Sequence, residues 1–95
     1  MSSRRLKMSD ETAGLVRTLH PDLKRKIKAA LQTVLNDPLS GKALKDKLKG
    51  LQSFKVGKFR VVYKTLKDNG IIEVVAIGPR KTIYEETLML LQREK

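Results

Sequence analysis

The chain has 95 residues, and its 21 lysine and arginine residues against 10 aspartate and glutamate residues give a formal net charge of +11. A chain this short has material for only one small core, so we expect a single domain over residues 1–95 with a simple two-layer fold. So large a positive excess costs stability through self-repulsion and attracts polyanions, which makes nucleic acid the leading candidate partner.

Residues that are rare or missing exclude several classes of protein. The sequence has no cysteine, so it can form neither a disulfide framework nor a thiolate metal site, which fits a reducing cytoplasm. Its one histidine, His20, and its dispersed acids give no spacing for a zinc or two-metal site, so we expect any catalysis to need no metal or other cofactor. The sequence shows no apolar run long enough for a membrane span and no signal-peptide pattern, so we expect a cytoplasmic protein that binds no membrane.

The first half of the sequence predicts a short strand and two helices. Alternating apolar and basic residues over 4–8 are typical of a strand with one buried face. Ser9 or Asp10 can cap a first helix of about ten residues. Pro21 suits the first position of a second helix because its missing N–H needs no partner there, and Asn36-Asp37-Pro38 ends that helix. The apolar stripe of the second helix comprises Leu23, Ile27, Ala30, Leu31 and Val34.

Basic residues cover the second helix and the segment after it. The helix carries a run of positive charge off its apolar stripe, which we interpret as a solvated face. That run comprises Lys24, Arg25, Lys26 and Lys28. The following segment PLSGKALKDKLKGL, residues 38–51, predicts a loop or frayed turn with hinges at Gly41 and Gly50. Its lysines, set against the single acid Asp46, are Lys42, Lys45, Lys47 and Lys49.

Three strands are predicted next. We expect them over 51–56, 59–66 and 71–77, joined first by a tight Gly57-Lys58 turn and then by a Lys67-Asp68-Asn69-Gly70 turn, whose Asn-Gly pair is typical of hairpins. In the middle strand, a period of two residues separates a core row from Arg60 and Lys64, which we expect on an opposite, concave face. The core row, which should receive the helices, comprises Phe59, Val61, Tyr63 and Thr65.

The end of the chain predicts a strand stop and a third helix. Gly78-Pro79 is expected to end the last strand, and helical spacing of apolar residues predicts a helix over 83–93 with Thr82 as its cap. The predicted fold class is α+β, with a helical hairpin packed on a small antiparallel sheet in the order β-α-α-β-β-β-α.

Three segments in this order carry a resemblance to a known family. They are the helical hairpin that ends in NDP, the run LKGLQSFKVGKFRVVYK and the end IGPRKTIYEE. Together they resemble the RelE/ParE superfamily of type II toxin–antitoxin toxins over nearly the whole chain. The resemblance implies a RelE-like fold. It also implies a ribosome-dependent, metal-independent mRNA endoribonuclease, or mRNA interferase, that inhibits translation.

RNA cleavage without a metal uses the 2′-hydroxyl of the substrate as nucleophile, so the protein must supply a base, cations for the transition state and an acid for the leaving oxygen. Arg60 suits the transition state because a strand fixes its rigid fork of donors, although it can instead pair with Glu73. The resemblance implies a catalytic or phosphate-binding role for Arg80, whose alternative is a solvated loop position. It implies that Tyr84 stacks on a base or orients the phosphate, unless this ring simply packs on the sheet.

The residues considered so far do not include a general base that accepts the proton of the 2′-hydroxyl. Lys55, on the strand before Arg60, is a further catalytic candidate, because a lysine crowded by other cations can act as a base. Many members of the superfamily have a histidine at the position of Pro79 in this chain, so histidine acid–base catalysis is excluded here.

The resemblance also implies partners. We expect RNA and ribosome contacts from Lys42, Lys45, Lys47, Lys49, Lys58, Lys64 and Lys81. The expected cognate antitoxin is small and RelB-like, with an acidic amphipathic helix that neutralises the basic face, and the free toxin is expected to be a monomer. Two alternatives stay open. One is a ParE-like DNA gyrase inhibitor without catalysis, and the other is a non-catalytic basic RNA-binding module, for which two Phe and two Tyr give little stacking surface.

Overall fold

The computed structural model describes residues 4–66, 68 and 70–93. The helices are α1 (Asp10–Thr18), α2 (Pro21–Asn36) and α3 (Ile83–Arg93). The strands are β1 (Arg5–Met8), β2 (Lys42–Ala43), β3 (Gln52–Val56), β4 (Phe59–Leu66) and β5 (Ile71–Pro79). The predicted α+β class and the order of its main elements are confirmed. In the part of the chain described, no helix has the length and apolar character needed to cross a membrane.

The five described strands form one sheet in the order β1-β5-β4-β3-β2. All pairings between β2 and β5 are antiparallel, as expected, whereas β1 lies parallel to β5 at the edge. The sheet is therefore mixed. Because β1 reaches only as far as Val74, the last residues of β5 extend beyond it, towards the start of α1.

Side-chain and backbone caps fix the predicted helical hairpin. The backbone N–H of Thr12 donates to Ser9 Oγ at 3.1 Å, so Ser9 caps α1. Proline stands at the start of α2, and the ring nitrogen Nδ1 of His20 accepts from the N–H of Asp22 at 3.3 Å. At the other end, the N–H of Asp37 bonds to the carbonyl of Thr33 at 2.9 Å. The single histidine is thus a helix cap.

The first core lies between the helical hairpin and one face of the sheet. From α2 it takes the predicted stripe, with Ile27 and Val34 fully buried. From β4 it takes the predicted row, in which Val61 and Tyr63 are fully buried and Phe59 is partly buried. Completely removing an aliphatic side chain of this size from water contributes about 1.5–3 kcal/mol, so this contact accounts for much of the stability.

A second core lies on the opposite face, under α3. Val62 is 0% exposed and packs with Leu51, Ala76 and Ile83. The face that carries Arg60 is therefore partly covered by a helix, which differs from the expected concave face. Apolar residues of α3 supply the cover, since 40% of this short chain is apolar and one helical hairpin cannot shield both faces of a sheet.

The basic segment 38–51 is more ordered than the predicted loop. It contains β2, which pairs with β3, and a 3₁₀ turn over Asp46–Leu48. Leu44 and Leu48 pack against the second core and anchor the segment. Its start is held by Tyr63, whose hydroxyl donates to the carbonyl of Pro38 at 2.8 Å and accepts from a backbone N–H at 2.9 Å. Because charged residues separate the two leucines, the sequence shows no apolar pattern here and predicts a loop.

The last strand runs two residues further than predicted. Gly78 and Pro79 do not stop it, because they pair with Arg60 and Phe59 at the end of β4. Proline at the end of a strand removes a donor that the ladder does not need. At the other end of the hairpin, Leu66 pairs with Ile71 as expected, while Lys67 and Asn69 of the predicted turn lie outside the described residues.

A β-bulge interrupts the β4–β5 ladder. Val62 lies opposite Ala76 and Tyr63 lies opposite Val74, so Val75 is an extra residue on β5. Both Val75 and Ala76 consequently contact the second core. The extra residue shifts the register of the β4–β5 pair by one. Gly78 therefore lies opposite Arg60, and the two residues share one face of the sheet.

Candidate nucleic-acid interface

Strand register brings two of the predicted catalytic residues into one row. Lys55 on β3 pairs with Arg60 on β4, and Arg60 pairs with Gly78 on β5. Residues directly opposite each other in an antiparallel sheet point to the same face, so Lys55 and Arg60 are neighbours on the α3 side. The row lies one step from the tight β3–β4 turn, where Gly57 has a φ of +58°, a conformation that glycine adopts without penalty.

Arg60 is half-buried and is oriented by the turn. Its Nη1 atom donates to the carbonyl of Gly57 at 3.0 Å and to that of Phe59 at 2.8 Å. A guanidinium has five N–H donors, and these two bonds engage a single nitrogen. The turn therefore engages Nη1, one of the two terminal nitrogens of the fork, and the donors on Nε and Nη2 can still match two phosphate oxygens.

Arg80 lies at the same end of the sheet. Its backbone N–H donates to the carbonyl of Lys58 at 2.8 Å, which ties the segment after β5 to the β3–β4 turn. A further bond, from the N–H of Thr82 to the carbonyl of Pro79 at 3.1 Å, closes a tight turn with Arg80 and Lys81 at its centre. Both residues are exposed, as is Lys58.

We call these five residues the turn-end cluster: Lys55, Lys58, Arg60, Arg80 and Lys81. Within the described residues, the ion pairs closer than 4 Å are Arg25–Asp22 and Lys64–Glu73, and neither involves the cluster. The cluster is a concentration of positive charge on a rigid support, which is the electrostatic pattern of a polyanion site.

Gly78 lets α3 approach the sheet beside the cluster. A Cβ atom on Gly78 would lie 2.9 Å from Cδ1 of Ile83 and 3.3 Å from Oε2 of Glu86. These distances place the first turn of α3 directly over Gly78, with one carboxylate above the end of the row. The helix begins at Ile83 as predicted, and the Thr82 carbonyl accepts from the N–H of Glu86 at 3.0 Å.

Tyr84 lies against the sheet rather than in the open. Its hydroxyl is 3.0 Å from the Oγ atom of Ser53, two residues before Lys55 on the same strand. The ring is half-buried against the second core. The structure therefore brings Tyr84 close to the cluster and gives its hydroxyl a partner, while its role toward RNA stays a prediction.

Lys64 is separated from the cluster. It lies four residues along β4 from Arg60, roughly 13 Å away at the usual rise of a strand. Its Nζ atom is 3.4 Å from Oε1 of Glu73, its register partner. Glu73 therefore pairs with Lys64, and the alternative that it pairs with Arg60 is wrong.

The lysines of the basic segment lie along the outer edge of the sheet. Lys42 on β2 is the register partner of Ser53, which places it beside the strand that carries Lys55. Lys45 and Lys49 flank the 3₁₀ turn, Lys47 lies within it, and all three are exposed. They extend the positive surface from the turn-end cluster along β3.

The sequence reasoning missed three contributors to this site. For Ser53, the sequence indicates only that it lies two positions before Lys55, and so on the same face of the strand. Glu86 and Ile83 are three residues apart, so they share one side of α3, but only the close approach at Gly78 shows which side faces the sheet. Among the described residues, no group of three or more histidine, aspartate or glutamate side chains could hold a metal ion.

Comparison with known proteins places the chain in a class. The family model described as the ParE toxin of type II toxin–antitoxin systems matches residues 8–84, which span most of the chain. The protein therefore belongs to this family of type II toxin–antitoxin toxins. No curated protein sequence matches it at a significant level.

Solved structures share the fold. An arginine-to-alanine double mutant of the Escherichia coli toxin RelE in the free state superposes with a TM-score of 0.74 at 18% identity, covering 98% of both chains. The RelBE2 toxin–antitoxin complex of Mycobacterium tuberculosis matches with a TM-score of 0.69 at 19% identity, over 82% of this chain and 99% of that one. The YoeB/ParE toxin of Agrobacterium tumefaciens matches with a TM-score of 0.67 at 20% identity, over 80% and 98%. The RelE-like fold is thereby confirmed.

Proposed function

We propose that this toxin is a ribosome-dependent, metal-independent mRNA endoribonuclease that inhibits translation. The observation that carries the proposal is the turn-end cluster, in which strand register sets Lys55 beside Arg60 and a backbone bond ties Arg80 to the same turn. Cations fixed on a rigid sheet need little reorganisation when charge develops on a phosphate, and such preorganised charge is a large part of catalytic rate enhancement.

The chemistry follows from the substrate. A ribose 2′-hydroxyl attacks its own phosphate, and negative charge builds on the phosphorane oxygens as the 5′-oxygen leaves. Arg60 can bind two of these oxygens through its planar fork, and Arg80 can bind from the adjacent turn. Both arginines act on charge that is greatest in the transition state, so their loss should reduce the rate more than the binding of RNA.

Dependence on the ribosome is supported by the shape of the surface. The cluster lies on the end of a sheet in a molecule of 34 × 31 × 23 Å, and four of its five residues are exposed. A surface this open cannot by itself align an RNA strand for in-line attack. The ribosome would hold the mRNA, and the lysines of the basic segment would contact ribosomal RNA through phosphate charge.

We also propose a cognate antitoxin with an acidic amphipathic helix. The Mycobacterium tuberculosis relative was solved as a toxin–antitoxin complex. In this chain, apolar side chains remain exposed on two helices, with Met89 on α3 63% exposed and Leu15 on α1 40% exposed. Together with Glu11, Glu86 and Arg93 they line a groove of about 410 Å³ between α1 and α3. An apolar helix face could fill this groove while acidic residues elsewhere on the antitoxin neutralise the turn-end cluster.

The deciding experiment uses purified ribosomes paused on a defined mRNA. Wild-type protein should cut the mRNA within the A-site codon, as mapped by primer extension, and a 2′-deoxy nucleotide at the cut should block cleavage. Arg60→Ala and Arg80→Ala should each lower the cleavage rate by about 100-fold or more, as expected when a transition-state charge partner is lost.

Arg17→Ala serves as the matched control because Arg17 is an exposed arginine in the last turn of α1, outside the cluster. Circular dichroism and thermal unfolding show that each variant is folded. Intact mRNA together with gyrase-linked DNA breaks would establish the ParE-like alternative. RNA binding without cleavage would establish the non-catalytic module.

A further inference from the structure

The proposed reaction needs a proton acceptor, and the first turn of α3 supplies a carboxylate at the row of cations. Oε2 of Glu86 lies 3.3 Å from the position that a Cβ atom of Gly78 would occupy. Gly78 is the register partner of Arg60. The carboxylate therefore lies above β5, next to the strand that carries the guanidinium.

The row of paired residues runs from Gly78 on β5 through Arg60 on β4 to β3. Lys55 is the register partner of Arg60 on the other side of β4. Two strand spacings separate β3 from β5, so the backbone positions of Lys55 and Gly78 are roughly 9–10 Å apart. A phosphate bound over Arg60 would have a carboxylate on one side and an ammonium group on the other. In an in-line displacement the attacking and leaving oxygens lie on opposite sides of phosphorus, so one group could take a proton from the first and the other could give a proton to the second.

We propose that Glu86 is the general base of the RNA cleavage and that Lys55 is the general acid. This assignment rests on the proposed function. Glu86 accepts the proton of the 2′-hydroxyl, and the 2′-oxygen forms a bond to phosphorus. The bond from phosphorus to the 5′-oxygen breaks, and that oxygen takes a proton from the Lys55 ammonium. The products are a 2′,3′-cyclic phosphate and a 5′-hydroxyl end, and water restores both side chains.

The placement selects Glu86 over the other carboxylates nearby. Glu85 is the next residue, but consecutive positions on a helix point about 100° apart, so it does not share the side of α3 that faces Gly78. Glu73 is bound to Lys64 and lies five residues before Gly78 on β5. The assignment also replaces Lys55 as the expected base, since an ammonium group carries the proton that the leaving oxygen needs.

Glu85→Gln is the matched control for Glu86→Gln, because both residues are exposed acids in the first turn of α3 and both changes remove one charge. Single-turnover cleavage of mRNA on purified ribosomes is measured in a chloride buffer, with ribosome binding measured separately by sedimentation. Glu86→Gln should slow cleavage by about 100- to 10,000-fold, which is the contribution of general acid–base catalysis, while ribosome binding is retained. Glu85→Gln should cleave close to the wild-type rate.

Chemical rescue separates catalysis from a structural role. Glu86→Ala leaves space for a small carboxylate, so added formate should restore part of its cleavage rate and should not restore that of Lys55→Ala or Arg80→Ala. Glu86→Gln at the wild-type rate, with Arg80→Ala inactive, would overturn the assignment and leave the proposed function standing. Slow cleavage that formate does not restore would also overturn it. If wild-type protein leaves the mRNA intact, the proposed function and this assignment fall together.

Discussion

The hydroxyl of Tyr84 lies 3.0 Å from the Oγ atom of Ser53 and joins the first turn of α3 to the strand that carries Lys55. Ser53 is only 6% exposed in the folded protein, so its hydroxyl relies on Tyr84 rather than on water for this hydrogen bond. The bond fixes the helix that covers the second core over the sheet. It therefore connects the packing of the fold with the position of the candidate site.

A double-mutant cycle can measure this bond. Tyr84→Phe and Ser53→Ala should each lower the free energy of unfolding by about 0.5–1.5 kcal/mol, and Tyr84→Phe should cost more because it leaves the buried Ser53 hydroxyl without its partner. In the double variant, the two losses should not add, since one bond accounts for both. Urea unfolding gives the four free energies. Strict additivity would show that the bond contributes nothing.

Cleavage by the same variants tests the role of Tyr84 in the proposed reaction. If the hydroxyl acts on RNA, Tyr84→Phe should slow cleavage well beyond Ser53→Ala, which disturbs only the packing. Equal rates for the two variants would assign Tyr84 to the docking of α3 alone.

Gly78→Ala should displace the start of α3. The new methyl group would lie 2.9 Å from Cδ1 of Ile83, which is fully packed, so we expect a loss of about 1–3 kcal/mol from overpacking. Ile83→Val removes that Cδ1 atom, so the double variant should be more stable than the sum of the two single changes predicts. Thermal unfolding checks both values.

Gly14→Ala is the control for a general effect of replacing glycine. Gly14 lies inside α1, and a methyl group there would meet only Arg17 at an ordinary 3.6 Å. Removing a glycine from a helix interior should stabilise the protein by about 0.5–1 kcal/mol, the opposite sign to Gly78→Ala. Destabilisation by both changes would argue against the specific contact with Ile83.

Much of the fold could be predicted because local patterns and tertiary contacts agree. The Ser9 cap, the proline start of α2 and the two-residue period of β4 are each readable from neighbouring residues. The second core could not be predicted in this way. It depends on the β-bulge at Val75 and on α3 folding back over Val62, and both are set by contacts between residues distant in sequence.

In the candidate site, too, local patterns predict some positions, and contacts between residues distant in sequence determine the others. Alternation along the middle strand predicts the face of Arg60, and the sequence places Lys55 only on the strand before it. Register then shows that the two are neighbours. The position of Glu86 depends on how closely a helix approaches a glycine, which no local pattern encodes. For Lys64, charge alone indicated an RNA contact, whereas register supplies Glu73 as its partner.

Tyr63→Phe should weaken the attachment of the basic segment. The phenol bonds to the carbonyl of Pro38 and the N–H of Gly41, so its loss leaves a buried carbonyl and a partly buried N–H without this partner. We expect a loss of about 1–3 kcal/mol. Hydrogen exchange should increase at Gly41 and in β2, while exchange in the centre of α2 changes only with global stability. Unchanged exchange at Gly41 would contradict the role of the hydroxyl.

The same phenol makes stability depend on alkaline pH. Burial raises the pKa of Tyr63 above its usual 10.0 by removing the phenolate from water, against smaller opposing effects of its hydrogen bonds. The unfolded chain therefore releases this proton at a lower pH than the folded chain. The stabilisation is fully present below about pH 10, the ordinary tyrosine pKa, and is lost as pH rises through the folded value. Urea unfolding of wild type and Tyr63→Phe across this range should show a difference that shrinks at high pH.

Lys58→Gln and Lys64→Gln compare a lysine that has no ion pair with any described residue and a lysine that has one. Lys58 is exposed at the β3–β4 turn, whereas the Lys64 ammonium lies 3.4 Å from the Glu73 carboxylate. Each phosphate contact adds about 0.7 to the slope of log affinity against log salt for single-stranded RNA. Lys58→Gln should therefore reduce the slope by about that amount, and Lys64→Gln should change it less because Glu73 already offsets its charge. Fluorescence anisotropy with a short single-stranded RNA at several salt concentrations gives both slopes. Equal reductions would show that the Lys64–Glu73 pair opens to bind phosphate and that the RNA path extends along β4.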